Sequence, residues 1–422
     1  MRVLLIGSGG REHALAWKLS KSPLLSRLDW APGNGGLEPP AAAVPIPAEN
    51  VQALAAYARE TRPDLVVVGP EAPLALGLSD RLQADGIAVF GPSRGAARLE
   101  SSKRFAKEFC LRHGIPAGGH WAFTEVGAAR AWLDAYTGAF PLVLKADGLA
   151  AGKGVLICED AAQAREALAA IMERREFGEA GDALVVEEFL EGEEASLLAF
   201  CDGTRAVLMP AARDHKRALD GDRGPNTGGM GAYCPSNHVG TELQGEVLRT
   251  IVLPALRGMA SEGHPYRGVL YAGLMLTRSG PKVLEFNCRF GDPETQAVLP
   301  RLASDLLPIL AGCARGELSP AAVEWARTAC VTVVLCSGGY PGPYAKDKEI
   351  RGVEEAATVP GVVVFHAGTR REKDRLLTAG GRVLDVTALG HDLRTARSRA
   401  YEAAARIRFE GVQYRRDIAG RP

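Results

Sequence analysis

Residues 142–158 read LVLKADGLAAGKGVLIC. Two apolar runs, Leu142–Lys145 and Val155–Cys158, flank a turn holding Gly148, Gly152 and Gly154. That pattern predicts two strands of a hairpin-like unit. A P-loop requires four residues between its glycines and Ser or Thr after the lysine. Here three residues separate Gly148 from Gly152, and Gly154 follows Lys153, so the likeness to a P-loop is superficial. A glycine loop between two strands can instead fold over a nucleotide's phosphates, with Lys145 neutralising them. The alternative is a solvated hairpin turn with incidental lysines. Lysine is scarce in this chain, 11 against 39 Arg, which weakens that alternative.

Upstream, residues 1–100 alternate short apolar runs with helical spacing. Val3–Ile6, Leu65–Val68 and Ile87–Phe90 each end in Gly or Gly-Pro; His13–Ser20 and Val51–Glu60 carry helical periodicity. Strands alternating with helices predict an α/β fold with a parallel sheet, whose ligands bind at the carboxyl ends of the strands. Gly7-Ser8-Gly9-Gly10 lies at such an end. Backbone amides there favour a phosphate or carboxylate. Dinucleotide binding and a plain tight turn remain alternatives, although Glu12 stands where the dinucleotide fingerprint needs glycine.

Downstream, a helix is expected over 101–113, starting at Ser101 or Ser102, and further strands over 184–209 and 270–286. Long helices are expected over Glu242–Ala260 and Thr295–Ala314, and a small α/β domain after about residue 325. Ala211–Pro235, rich in Gly, Asp, Asn and Arg, reads as a long ordered loop.

Two further stretches carry candidate chemistry. Val185–Glu194 packs five carboxylates into residues 187–194. This is either a charged surface loop or an adenosine site in which backbone groups read the base and one acid takes the ribose. In Glu285-Phe286-Asn287-Cys288-Arg289, alternate residues share a strand face. Glu285 and Asn287 then offer two oxygen donors, suited to Mg²⁺ held jointly with phosphates. Arg289 follows on that face, placed to stabilise a negatively charged transition state. Asp292 is read as the cap of the next helix, with Pro293 in its first turn. A purely structural acidic strand end is the alternative.

Composition limits the functions available. Fifty basic and 50 acidic residues give zero net charge, which argues against a generic nucleic-acid binder. The opening MRVLLIG is too short for a signal core or a membrane span, so a cytoplasmic protein is expected. None of the eight cysteines forms a C-x-x-C pair. They are read as buried free thiols. The sequence holds no Gly-x-Ser-x-Gly elbow and no His-Glu-x-x-His helix.

Taken together, the motifs resemble those of the glycinamide ribonucleotide synthetase (phosphoribosylamine–glycine ligase) family within the ATP-grasp superfamily. The strings are GSGGREHALAWKL (7–19), APGNGG (31–36), VVGPEAPLALG (68–77), ESSKRFAKEF (100–109), LKADGLAAGKGV (144–155) and VVEEFLEGEEAS (185–196). They continue with DHKRALDGDRGPNTGGMGAYCP (214–235), LYAGLML (270–276), EFNCRFGDPETQ (285–296) and GGRVLDVTALG (380–390). The resemblance implies an N-terminal Rossmann-like substrate domain over 1–100, an ATP-grasp region over 101–325 with a lid at 121–189, and a C-terminal domain over 326–422. It implies that ATP phosphorylates glycine and that 5-phosphoribosylamine attacks the glycyl phosphate, a step of purine biosynthesis, with Mg²⁺ or Mn²⁺ as cofactor.

It further implies that Lys103 and Lys145 are phosphate lysines, with Gly148–Gly154, including Gly152, Lys153 and Gly154, as the phosphate lid. Glu187, Glu188, Phe189 and Leu190 become the adenine hinge, Glu194 the ribose acid, and Glu285 and Asn287 the metal ligands. Arg289 would stabilise the acyl phosphate. Gly9, Gly10, Asn226, Thr227, Gly228, Gly229, Met230 and Asp292 would surround the phosphoribosylamine. Asp214, Lys216 and Arg217 would line the site, undivided between ATP and substrate. Glycine, phosphoribosylamine and ATP are the expected partners, with no nucleic acid or membrane and with transient contact to neighbouring purine-pathway enzymes. The chain's end at 422 is read as that of a monofunctional enzyme. Another ATP-grasp ligase, a nicotinamide-dependent oxidoreductase and a non-catalytic relative are the competing interpretations.

Overall fold

The computed structural model describes residues 1–149, 154–236 and 238–420. The N-terminal sheet has five parallel strands in the order Ala41–Ala43, Arg27–Pro32, Arg2–Gly7, Leu65–Val68, Val89–Phe90. The first strand lies at its centre. Val3 and Leu5 pack on one face with Leu15 and Trp30, while Leu4 and Ile6 pack on the other with Leu54 and Ala58. Burial on both faces is why this strand reads as an uninterrupted apolar run. Chain order reverses on either side of it, which opens a crevice at its carboxyl end. Gly7-Ser8-Gly9 turns there into the helix Gly10–Leu19.

Two four-stranded sheets follow. The smaller has the order His120–Phe123, Leu184–Glu188, Leu142–Ala146, Val155–Cys158. The expected hairpin pairs Leu142 with Cys158 through Lys145 with Val155. Its closing bond runs from the Ala146 N–H to the Gly154 carbonyl, 2.9 Å. The larger has the order Ala206–Leu208, Glu193–Asp202, Arg267–Thr277, Gly280–Asn287, all antiparallel.

Several expectations are corrected. Arg27–Pro32, where periodicity predicts no element, is a strand although it carries Asp29 and Pro32. Thr295–Ala314 is broken: the helix Glu294–Val298 tightens into a 3₁₀ turn at Leu299–Arg301. A new helix, Leu306–Arg315, starts where Asp305 accepts the Leu307 N–H at 3.0 Å. Glu242–Ala260 is helical but passes through a π turn at Leu248–Val252. The expected start at Ser102 holds: it caps the helix Lys103–Arg112, accepting the Phe105 N–H at 3.1 Å.

The stretch 211–235 is strand-rich rather than a loop. Arg213–Asp214 and Gly231–Cys234 join a sheet whose remaining strands are Ala329–Cys336, Arg382–Gly390 and Val362–His366. Between them, Arg217–Leu219 and Arg223–Asn226 form a separate two-stranded hairpin.

The N-terminal layer and this C-terminal sheet meet at His13. Its Nδ1 accepts the His366 N–H at 2.7 Å, and Trp17 meets Phe365 edge-on. Asn34 Nδ2 donates to the carbonyls of Ser8 and His366, at 2.9 and 2.7 Å. All eight cysteines are buried and free. Among the described residues no helix is long and apolar enough to cross a membrane.

Candidate active site

The strand Gly280–Asn287 brings the expected trio together. Asn287 Nδ2 lies 3.4 Å from Glu285 Oε1, and Arg289 Nη2 donates to Asn287 Oδ1 at 3.0 Å. Arg289 is fixed from the other side by two acids on N-terminal helices, Glu71 at 3.2 Å and Glu100 at 2.9 Å. Glu100 also accepts the Cys288 N–H at 2.6 Å. Burial pushes the Glu100 carboxyl up to about 7, with Arg289 pulling the other way.

Lysines gather around Glu285. Burial opposes its ionisation, but Lys216, Lys145 and Lys103 together hold its carboxyl below the usual range. Lys103 Nζ donates to the Gly148 carbonyl at 2.8 Å, at the start of the glycine loop. Lys145 pairs with Glu187 at 2.8 Å, and Lys107 pairs with the other oxygen of Glu187 at 2.7 Å. Lys216, on the loop after Arg213–Asp214, pairs with Glu194 at 3.0 Å. Asp214 raises its pKa most, and Asp214's own carboxyl is raised by burial. Tyr271 links this group inward: its hydroxyl donates to Glu294 at 2.9 Å and meets Ser196 at 2.7 Å.

The crevice at Gly9 and Gly10 is bordered by the other layers. The Gly9 N–H is donated to Glu12 at 2.6 Å. A Cβ on Gly10 would fall 1.8 Å from Asp385 Oδ2, and one on Gly229 would fall 2.4 Å from Pro293. Only glycine allows these approaches. Asp292 does not cap the following helix. Instead it pairs with Arg382 at 3.1 Å and accepts from Gln296 at 2.7 Å, because Pro293 occupies the cap position. Despite burial, Arg382 holds the Asp292 carboxyl below its usual range. Arg382 also donates to the Gly228 carbonyl at 2.6 Å.

Among the described residues, no three His, Cys, Asp or Glu side chains group to hold a metal. Glu285 and Asn287 supply two hard oxygens, one kept anionic by its neighbours. That donor set fits a hard divalent cation such as Mg²⁺.

Three consecutive segments match known domain families. Residues 1–100 match the N domain of phosphoribosylglycinamide synthetase, 101–295 its ATP-grasp (A) domain, and 330–421 its C domain. The chain belongs to the phosphoribosylglycinamide synthetase family. It is 52% identical over 423 residues to a phosphoribosylamine–glycine ligase of Caulobacter vibrioides, covering 100% of this chain and 98% of that one. A Mesorhizobium japonicum protein of the same name is 50% identical over 418 residues, covering 99% and 97%. The crystal structure of phosphoribosylamine–glycine ligase from Thermotoga maritima superposes with a TM-score of 0.87 at 35% identity, covering 99% of this chain and 100% of that one.

In this synthetase-family chain the other anticipated residues divide. Gly152 and Lys153 lie outside the described residues. The Glu187 carboxylate is committed to its two lysines, and its main chain sits between the His120 and Val143 strands. Glu188 gives its N–H to the Gly119 carbonyl and pairs with Lys282 at 3.3 Å. Phe189 is exposed and Leu190 buried. Arg217 and Asn226 face each other across the small hairpin. Thr227 Oγ1 donates to the Lys216 carbonyl at 2.9 Å and accepts the Gly229 N–H at 2.9 Å. The Met230 side chain packs in a buried core with Val334 and Cys336.

Lys107, Glu71, Glu100, Gln296, Arg382 and Asp385 were given no role by sequence, although all six fall inside the matched strings 68–77, 100–109, 285–296 and 380–390. Their partners are distant in the chain, so only the fold reveals them.

Proposed function

We propose that this ATP-grasp ligase, which joins glycine to phosphoribosylamine to form glycinamide ribonucleotide, works through glycyl phosphate. A glycine carboxylate oxygen attacks the γ-phosphorus of ATP, and ADP departs. The amine of phosphoribosylamine attacks the acyl carbon, phosphate departs, and the proton lost by the amine passes to Asp214. Activation is needed because a carboxylate oxygen is a poor leaving group.

The placing of two lysines carries this proposal: Lys145 Nζ lies 3.4 Å from the Leu284 carbonyl, next to Glu285, and Lys103 Nζ lies 2.8 Å from the Gly148 carbonyl at the glycine loop. Transferring phosphoryl oxygens gather negative charge, and fixed cations in a partly desolvated cleft stabilise it strongly. In the proposal Lys103 and Lys145 hold the ATP phosphates under the glycine loop 148–154, which shields the acyl phosphate from water. Lys216, paired with Glu194, and Arg217 line the same site in the proposal. Glu187–Leu190 form the adenine hinge, with Phe189 and Leu190 supplying the main chain beyond the sheet, and Glu194 takes the ribose. Gly9, Gly10, Asn226–Met230 and Asp292 surround the phosphoribosylamine. Arg289 lies against the acyl phosphate. Glu285 and Asn287 would hold Mg²⁺ or Mn²⁺, which neutralises phosphoryl charge when bound. The division into 1–100, 101–325 with a lid at 121–189, and 326–422 belongs to the same proposal.

An ADP-release assay tests it. Release should require glycine, and hydroxylamine in place of phosphoribosylamine should trap glycine hydroxamate in step with ADP. Glycine-independent ADP release would sink the ligase chemistry. Absence of hydroxamate would sink the intermediate alone.

A further inference from the structure

The hairpin that follows Lys216 is poorly supported by its own contacts. Among the described residues its strands Arg217–Leu219 and Arg223–Asn226 pair only with each other, and the register slips between Arg217 and Leu219. Residues 219–226 are exposed. A two-stranded ribbon of this kind is marginal in water by itself.

A buried arginine far along the chain holds it. Arg415 is 2% exposed. Its Nη1 donates to the Arg217 carbonyl at 3.0 Å and to Asp222 at 2.7 Å. Its Nε and Nη2 grip Asp417 in a two-pronged pair at 2.7 and 2.6 Å. Asp417 in turn accepts the Gly221 N–H at 2.8 Å, and Asp220 accepts the Arg416 N–H at 2.8 Å. The segment is anchored behind. Tyr401 donates to the Arg415 carbonyl and accepts the Ile418 N–H, while Arg397 donates to the carbonyls of Arg416 and Ile418. Both anchors lie on the helix Leu393–Ala404. The hairpin is thus fixed at its foot and tip to a rigid element of the C-terminal layer.

We infer that Arg415 is a positioning residue for ligation, acting through Lys216. It touches no reacting group. It sets the hairpin whose foot presents Lys216 beside Glu194 and Asp214 and whose return strand leads to Thr227, itself bonded to the Lys216 carbonyl at 2.8 and 2.9 Å. A two-pronged guanidinium–carboxylate pair is directional, which an ammonium cannot reproduce. The inference rests on the place given to Lys216 in the proposed function.

A mutant cycle tests it, with kcat/KM for ATP measured in the full-length enzyme. Arg415→Lys should lower this value by about 10- to 100-fold, the loss expected from roughly 1 Å of misplacement. In a Lys216→Ala background the same substitution should change it less than about twofold, because linked residues are non-additive. Asp222→Asn, on the exposed partner, repeats the test without disturbing the buried side, and hydrogen exchange at 217–226 should rise in both variants. Equal losses in both backgrounds would overturn the inference and make Arg415 purely structural. So would unchanged kcat/KM with faster exchange. Wild-type turnover of Lys216→Ala alone would instead remove Lys216 from the site.

Discussion

Glu187 and Lys145 form an ion pair 2.8 Å apart, and both side chains are nearly inaccessible to solvent. The pair is not isolated, because Lys107 takes the second Glu187 oxygen at 2.7 Å. Burial opposes the charge on Glu187, yet the two lysines hold its carboxyl below the usual range. One carboxylate between two ammonium groups leaves the triad with a net positive charge, facing the cleft through Lys145. Glu187→Gln should leave two buried ammonium groups without their carboxylate and destabilise the protein by about 3–5 kcal/mol, as stranding buried charge does. Urea unfolding measures this, and an unshifted midpoint would refute the pairing.

Glu285→Gln keeps the size of the side chain and removes the anion among Lys103, Lys145 and Lys216. Turnover should fall by about 100-fold or more, the scale of losing a principal electrostatic group at a phosphoryl-transfer site. The melting temperature should stay within a few degrees of wild type, roughly the effect of 1 kcal/mol. Near-normal turnover at saturating Mg²⁺ would dismiss Glu285 as a metal ligand.

Gly10→Ala places a methyl 1.8 Å from Asp385 Oδ2 and 2.7 Å from Gln296 Nε2. Overpacking of this kind costs about 1–3 kcal/mol. The expected result is a lower melting temperature with a raised KM for phosphoribosylamine. Combining it with Asp385→Ala should recover part of the stability, since the clash is with that side chain. A double variant no more stable than Gly10→Ala would show the contact to be unimportant.

The joint at His13 predicts a pH dependence. Burial lowers His13 to about 4. Burial, with His13 and Arg371 contributing, lowers His366 to about 3. An unfolded histidine titrates near 6.5, so between that value and about 4 the unfolded chain binds more protons than the folded one. Stability from these groups is therefore complete above pH 6.5 and falls as the medium is acidified toward 4. His13→Asn retains an acceptor for the His366 N–H and should flatten the fall in melting temperature between pH 7 and pH 5. A slope identical to wild type would acquit His13.

The local parts of this architecture were legible in the sequence. The hairpin around the glycine loop, the parallel N-terminal layer and the shared face of Glu285, Asn287 and Arg289 all follow from periodicity within a few residues. What was missed depends on distant partners. Gly231–Cys234 reads as a glycine-rich loop, yet it is buried because Ala329–Cys336 lies beside it. Arg27–Pro32 carries polar and breaking residues, yet its place between two parallel neighbours makes it a strand. Asp292 reads as a helix cap, but Pro293 takes that position and Arg382, 90 residues away, pairs with the Asp292 carboxylate.

The placing of Gly231–Cys234 has a bearing on how this chain can be divided. That strand follows the stretch 226–230, proposed to surround the phosphoribosylamine, and enters the sheet shared with Ala329–Cys336 and Arg382–Gly390. A cut near residue 327 would strip the first piece of the strand that covers its Gly231–Cys234 edge and the second of its neighbour. Neither fragment would be a module to borrow or to swap between relatives at that point; the seam recorded in the chain and the seam in space are different lines.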